Sequence, residues 1–150
     1  MVPTLLAVCG TLLGTLGAVV LQQRAARAER AEARRDAHEQ ARLRAVAELV
    51  TALDNHRRAM WLREKLRLSG AGDDAFTEAR TASHLTRAAI TGPLVTLSVL
   101  APTLAKAAND AVRATYALRE APDLEVLQQA RSAAIAATES LVAAAGDQFA

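Results

Sequence analysis

The run VPTLLAVCGTLLGTLGAVVL, from Val2 to Leu21, holds no charged residue over its twenty positions. Coiled as a helix rising 1.5 Å per residue, it would be about 30 Å long, the thickness of a bilayer's hydrocarbon core. Gln22 and Gln23 end it, and Arg24, Arg27, Arg30, Arg34 and Arg35 follow, with no Lys or Arg ahead of it. Basic residues beside a span are retained in the cytoplasm. The sequence therefore predicts a single-pass membrane anchor with the N-terminus outside and the C-terminal bulk cytoplasmic. A cleaved secretory signal fits less well, because the apolar run is long and lacks a basic leader. Ala26-Arg27-Ala28 has the A-x-A form but lies inside the basic flank. Cys9 misses a lipoprotein box, since the bulky Val8 precedes it, and it reads as a small apolar residue.

Within the anchor, Gly10 and Gly14 form a GxxxG pair with Gly17 about one turn further. Small residues at that spacing let two helices approach closely, which suggests a homo-oligomer assembled in the membrane. Glycine is also common in such helices for no such reason, and both readings stand at this point. On the cytoplasmic flank, Arg24, Arg27 and Arg30 are the arginines near enough to meet anionic headgroups. Screening over about 8 Å at physiological salt removes those further along.

From residue 22 to residue 69 no Gly or Pro occurs, and the first half of that stretch is nearly all Ala, Arg, Glu, Asp and Gln. These are strong helix formers, so the anchor helix should continue into a charged helical stalk. An apolar stripe then appears at Leu43, Val46, Leu49, Val50, Leu53, His56 and Met60, in steps of three and four that mark a helix face packed on partners. His56 lies in that stripe and reads as a neutral, hydrogen-bonded core histidine. Trp61, the one Trp, sits beside Arg57 and Arg58. It reads either as a bulky core anchor or, if exposed next to those arginines, as a partner surface.

Ser69-Gly70-Ala71-Gly72 should end this helix, and Asp73 or Asp74 should cap the next. The second helix is expected to bury Phe76, Ala79, Ala82, Leu85, Ala89 and Ile90, with Gly92-Pro93 kinking or stopping it. Residues 94–100, LVTLSVL, carry strand-like β-branched residues. With no second strand to pair them their backbone groups would go unsatisfied, so helix is the expectation. Pro102 suits the first turn of a third helix running through Leu104, Ala108, Ala111, Val112, Thr115 and Leu118. After Ala121-Pro122, Asp123 should cap a last helix striped by Leu124, Leu127, Ala134, Leu141 and Ala145. The fold class is all-α: anchor at 1–22, charged stalk at 23–42 and antiparallel helical bundle at 43–150.

Composition narrows the chemistry. Hydrophobic residues make up 51% of the chain but aromatics only 3%, so the core must be built largely from Ala and close helix contacts. A net charge of +2 gives no general case for nucleic acid. His38, His56 and His84 are far apart, and none pairs with another His or with Cys at metal-ligand spacing. There is no HExxH, GxSxG, Walker-type loop or dinucleotide fingerprint. No catalytic, cofactor-binding or metal-binding residue is expected, and neither is a small-molecule substrate.

The order of these features, with AVAELVTALDNHRRAMW and later AVRATYALREAPDLEVL, resembles the KilB-type proteins of actinobacterial conjugative plasmids and integrated elements. The most specific pieces are residues 56–61, HRRAMW, and 114–119, ATYALR. The resemblance implies a membrane-associated factor in plasmid transfer or spread through mycelium, harmful to the host when expressed without repression. It implies no catalytic residues. Expected partners are the lipid bilayer, further copies of the chain and membrane transfer proteins, with nucleic acid not expected. Three other readings stay open: a membrane scaffold or regulator unconnected with plasmids, direct DNA binding by the arginine stalk, and membrane damage by oligomers of the span.

Overall fold

The computed structural model describes the backbone of residues 2–149 and the side chains of residues 23, 24 and 26–148. Four α-helices follow one another: α1 (Val2–Ser69), α2 (Asp73–Leu100), α3 (Ala105–Tyr116) and α4 (Leu124–Phe149), with a 3-10 turn at Pro102–Leu104 leading into α3. Among the described residues there is no strand. Two compact units divide the chain, Met1–Glu39 and Gln40–Ala150. Among the described residues no helix is long and apolar enough to cross a membrane. The expected span at 2–21, with Gly10, Gly14 and Gly17, lies outside the residues whose side chains are described, although its backbone belongs to α1.

Unit 40–150 is a bundle with two apolar clusters. One joins Ala45, Leu49 and Leu53 of α1 to Ile90 and Leu97 of α2, Ala108 and Ala111 of α3, and Leu141 of α4. The other joins Met60 of α1 to Leu118 and Ala121 beyond α3, and to Leu127 and Ala134 of α4. The stretch of α1 from Ala45 to Leu53 thus meets the late parts of α2 and α4 and the start of α3, while the end of α1 meets the end of α3 and the start of α4. Successive helices therefore run antiparallel, as their short connections require. On three helices a buried polar residue falls between the two apolar ends: His56 on α1, Ser83 on α2 and Thr115 on α3.

The connections have local causes. Gly70 has φ of 65° after the last residue of α1. The Ala71 N–H reaches the Leu66 carbonyl at 3.1 Å and the Gly70 N–H the Arg67 carbonyl at 3.3 Å. That pair of bonds is the Schellman closure, and it needs a residue at ease in the left-handed region. Asp123 caps α4 as expected, its Oδ1 accepting from the Val126 N–H at 2.8 Å. The start of α2 corrects the expectation: Gly72 holds the cap position without a side-chain bond, and Asp73 and Asp74 fall in the first turn. There they face the positive end of the helix dipole instead of accepting a capping bond.

Residues 94–100 are helical, with α2 running through Pro93 to Leu100. Burial of Ile90 and Leu97 on either side of the proline offsets the one backbone hydrogen bond that Pro93 cannot donate. The buried face of α2 is a further correction. Ala79, Ser83, Ile90 and Leu97 are buried, whereas Ala82 and Ala89 are exposed and Leu85 is 69% exposed. A small polar residue occupies the inward position that an apolar stripe would have given to Leu85. The third helix is also shorter than expected, ending at Tyr116, and Leu118 packs from the turn beyond it.

Candidate functional site

Helical spacing places His56, Met60 and Arg63 on one face of α1, and Arg80, Ser83, His84 and Arg87 on one face of α2, at steps of three, four and seven. Tyr116, at the end of α3, and Arg119, just after it, reach the same place. Together these residues line a cleft of about 280 Å³. No carboxylate lines it, and four guanidinium groups do.

The floor of the cleft is tightly organised. His56 is buried, and its Nδ1 lies 3.0 Å from Thr86 Oγ1. The Thr86 hydroxyl donates to the Ala82 carbonyl at 3.0 Å. Its oxygen is then the acceptor for His56 Nδ1–H, which fixes the neutral tautomer. The His56 ring meets Tyr116 edge-on, centroids 5.5 Å apart and planes at 85°. Above the Tyr116 ring lies the Arg87 guanidinium, 4.8 Å from the centroid. Burial lowers the His56 pKa to about 4, with the positive charges of Arg87 and Arg63 adding to the effect and the Ser83 backbone opposing it. Arg63 Nη1 donates to Ser83 Oγ at 3.4 Å, while Ser83 donates to the Arg80 carbonyl at 2.7 Å.

Behind this wall Glu64 is fully buried, a carboxylate held by Arg67 Nε at 2.6 Å and approached by Arg63 Nε at 3.6 Å. At the rim, Arg119 pairs with the exposed Glu120 at 2.9 Å. Arg80 and Arg87 make no ion pair with any carboxylate among the described residues. No Asp or Glu occurs in the sequence between Glu78 and Asp110.

The residues singled out by sequence are placed elsewhere. Arg24, Arg27 and Arg30 are exposed along α1 in the first unit. Arg57 and Arg58 share one carboxylate, that of Asp54, with Arg58 Nη2 at 2.8 Å. Their positive charges hold the Asp54 carboxyl below its ordinary pKa, the hydrogen bond from Arg57 being the leading cause. Trp61 is half-buried against the second apolar cluster, and the Arg131 guanidinium lies 5.0 Å from its ring centroid. Arg57, Arg58 and Trp61 thus cluster near the end of α1, and none of them lines the cleft. Of the cleft residues, the sequence marked His56 and Met60 as core, and the two segments that carry the resemblance also contain Tyr116 and Arg119, but none was expected to form a site. The available signal was the Arg80–His84–Arg87 spacing on a helix that carries no acid after Glu78. Among the described residues no group of three or more His, Cys, Asp or Glu is arranged to hold a metal ion.

Comparison with known proteins places this bundle in a wider set. The family described as KilB plasmid transfer protein matches residues 43–149. Protein KilB of Streptomyces lividans is 56% identical over 149 residues, covering 99% of this chain and 99% of that protein. No solved structure matches.

Proposed function

The chain belongs to the KilB plasmid transfer protein family, and on that premise we propose that it is a membrane-anchored, non-enzymatic accessory of plasmid transfer and spread in mycelial cells. One observation carries the reading: the uncharged run from Val2 to Leu21 leads through an arginine flank into residues 43–149, the stretch that matches the family. Twenty apolar residues suffice to span a bilayer as helix, and the arginines favour a cytoplasmic bundle. Gly10, Gly14 and Gly17 would let the spans pack on one another, and Arg24, Arg27 and Arg30 would lie against anionic headgroups. In this reading the protein acts by holding a helical surface at the inner face of the membrane, where other transfer proteins or further copies dock.

Removing the gene from its element should leave plasmid replication unchanged and reduce spread through the mycelium. Spread at the wild-type level would refute the role. Anchoring is tested separately by alkaline washing of membranes. The full chain should stay with the membrane and the Leu12→Lys/Leu13→Lys variant should be released. A wild-type chain recovered in the wash would remove the anchor from the account.

A further inference from the structure

We propose that the cleft between α1, α2 and the end of α3 binds a phosphoryl dianion, with the guanidinium groups of Arg80 and Arg87 as its principal partners. The proposal stands on the cleft alone and does not depend on the transfer role or on the anchor.

Its basis is an imbalance of charge within a concave, ordered site. Four arginines and two histidines converge there without one lining carboxylate. Two of the arginines have acidic neighbours outside the lining, Glu64 for Arg63 and Glu120 for Arg119. Among the described residues Arg80 and Arg87 have none. Asp54, by contrast, serves Arg57 and Arg58, and Asp110 serves Lys106 and Arg113. Like charges gathered over a low-dielectric wall repel one another, and the same wall focuses their field on any anion that enters. A concave site lined by four arginines and no carboxylate is open to a counter-charge brought by a ligand.

The geometry selects the class of anion. Guanidinium groups present paired N–H donors that match the oxygens of phosphate, and two of them without carboxylate partners match a double negative charge. Arg87 is held in place by stacking on Tyr116, which is itself braced edge-on by His56. Less freedom is then lost when the ligand arrives. About 280 Å³ accommodates a phosphoryl group on a small substituent. A nucleic-acid backbone instead calls for an extended basic track that follows successive phosphates, and here the arginines line a single concave cleft. The phosphoryl group could be borne by a soluble phosphate ester or by a lipid headgroup, and the experiment separates the two.

The full chain in detergent is titrated calorimetrically with inorganic phosphate, alongside the Arg80→Gln/Arg87→Gln variant. Both substituted side chains are exposed, so the fold is retained. Saturable binding that the double variant weakens about tenfold or more supports the site. Absence of binding, or binding equal in the two proteins, overturns it. His56 gives a second readout by NMR: phosphate should raise the pKa of its ring in the wild type, and a pKa indifferent to saturating phosphate counts against an anion in this cleft. Pull-down of the detergent-solubilised chain on beads bearing phosphatidic acid or phosphatidylcholine then locates the source. Capture that depends on phosphatidic acid and falls in the double variant assigns a lipid phosphomonoester. Phosphate binding with equal capture of both proteins assigns a soluble phosphate ester.

Discussion

Arg67 and the fully buried Glu64, one turn apart on α1, are joined at 2.6 Å between Nε and Oε2, and Arg67 Nη2 also donates to the carbonyl of Ala121. This one side chain ties the end of α1 to the connection between α3 and α4. The two partners are not equivalent, because Arg67 retains 36% of its side-chain exposure while Glu64 has none. Removing Arg67 strands a buried carboxylate; removing Glu64 leaves an arginine that can turn to water. Arg67→Met should therefore cost about 3 kcal/mol of stability and Glu64→Met distinctly less. Urea unfolding of both variants checks the order, and equal losses would contradict it.

His56 makes the bundle sensitive to acid. Its folded pKa, about 4, lies below the ordinary value of 6.5. The unfolded chain thus takes up a proton first, and the stability that rests on a neutral ring is complete above pH 6.5. It is lost as pH falls from 6.5 towards 4. The charged groups facing the ring are Arg63 on its own helix and Arg87 on α2, and no carboxylate lines the cleft to favour the imidazolium. The loss should reach about 3 kcal/mol at most, and His56→Gln should flatten the profile over that window. A wild-type stability curve without slope between those pH values would show that the ring titrates freely.

The core depends on small residues. Ala108 and Ala111 of α3 are fully buried in the cluster that holds Leu141 and Ala145 of α4. Ala111→Leu should cost about 1 to 3 kcal/mol by overpacking, whereas Ala136→Leu, at an exposed position on α4, should be nearly neutral. Thermal melts of the two variants make the comparison.

Glu120 has φ of 60°, the one non-glycine residue of positive φ among those described. A side chain is strained there, and the exposed pair with Arg119 contributes little in return. Glu120→Gly should raise stability by up to about 1 kcal/mol, read as a higher urea midpoint at unchanged m-value. A lower midpoint would mean that the ion pair outweighs the strain.

Helical class, antiparallel order and most of the inward faces were legible along the chain. Of the stripe from Leu43 to Met60, Val46, Leu49, Leu53, His56 and Met60 are buried as the spacing implies, Val50 is half-buried and Leu43 is exposed; Asp123 caps α4, and Gly70 closes α1. The errors include Leu43 at the start of the α1 stripe and Leu124 at the start of the α4 stripe, both exposed, and fall most heavily on α2, where Leu85 outweighed Ser83 in choosing the inward face and the acidic pair outweighed Gly72 at the cap. Hydropathy scores a serine as outward, yet Ser83 is satisfied by the Arg80 carbonyl and by Arg63, a partner twenty residues away in the chain.

The sequence by itself determined what is local and periodic: helix formers without breakers from 22 to 69, stops at glycine and proline, and an uncharged run of bilayer length. These depend on neighbours within a turn or two, which a linear reading can see. Only the tertiary structure decided that Arg63, Arg80, Arg87 and Arg119 face one cleft, and that Glu64 is held beneath it. Each of those arginines alone resembles a solvated surface charge. Their convergence arises from the rotation of packed helices about their own axes, which is set by interlocking side chains across the core.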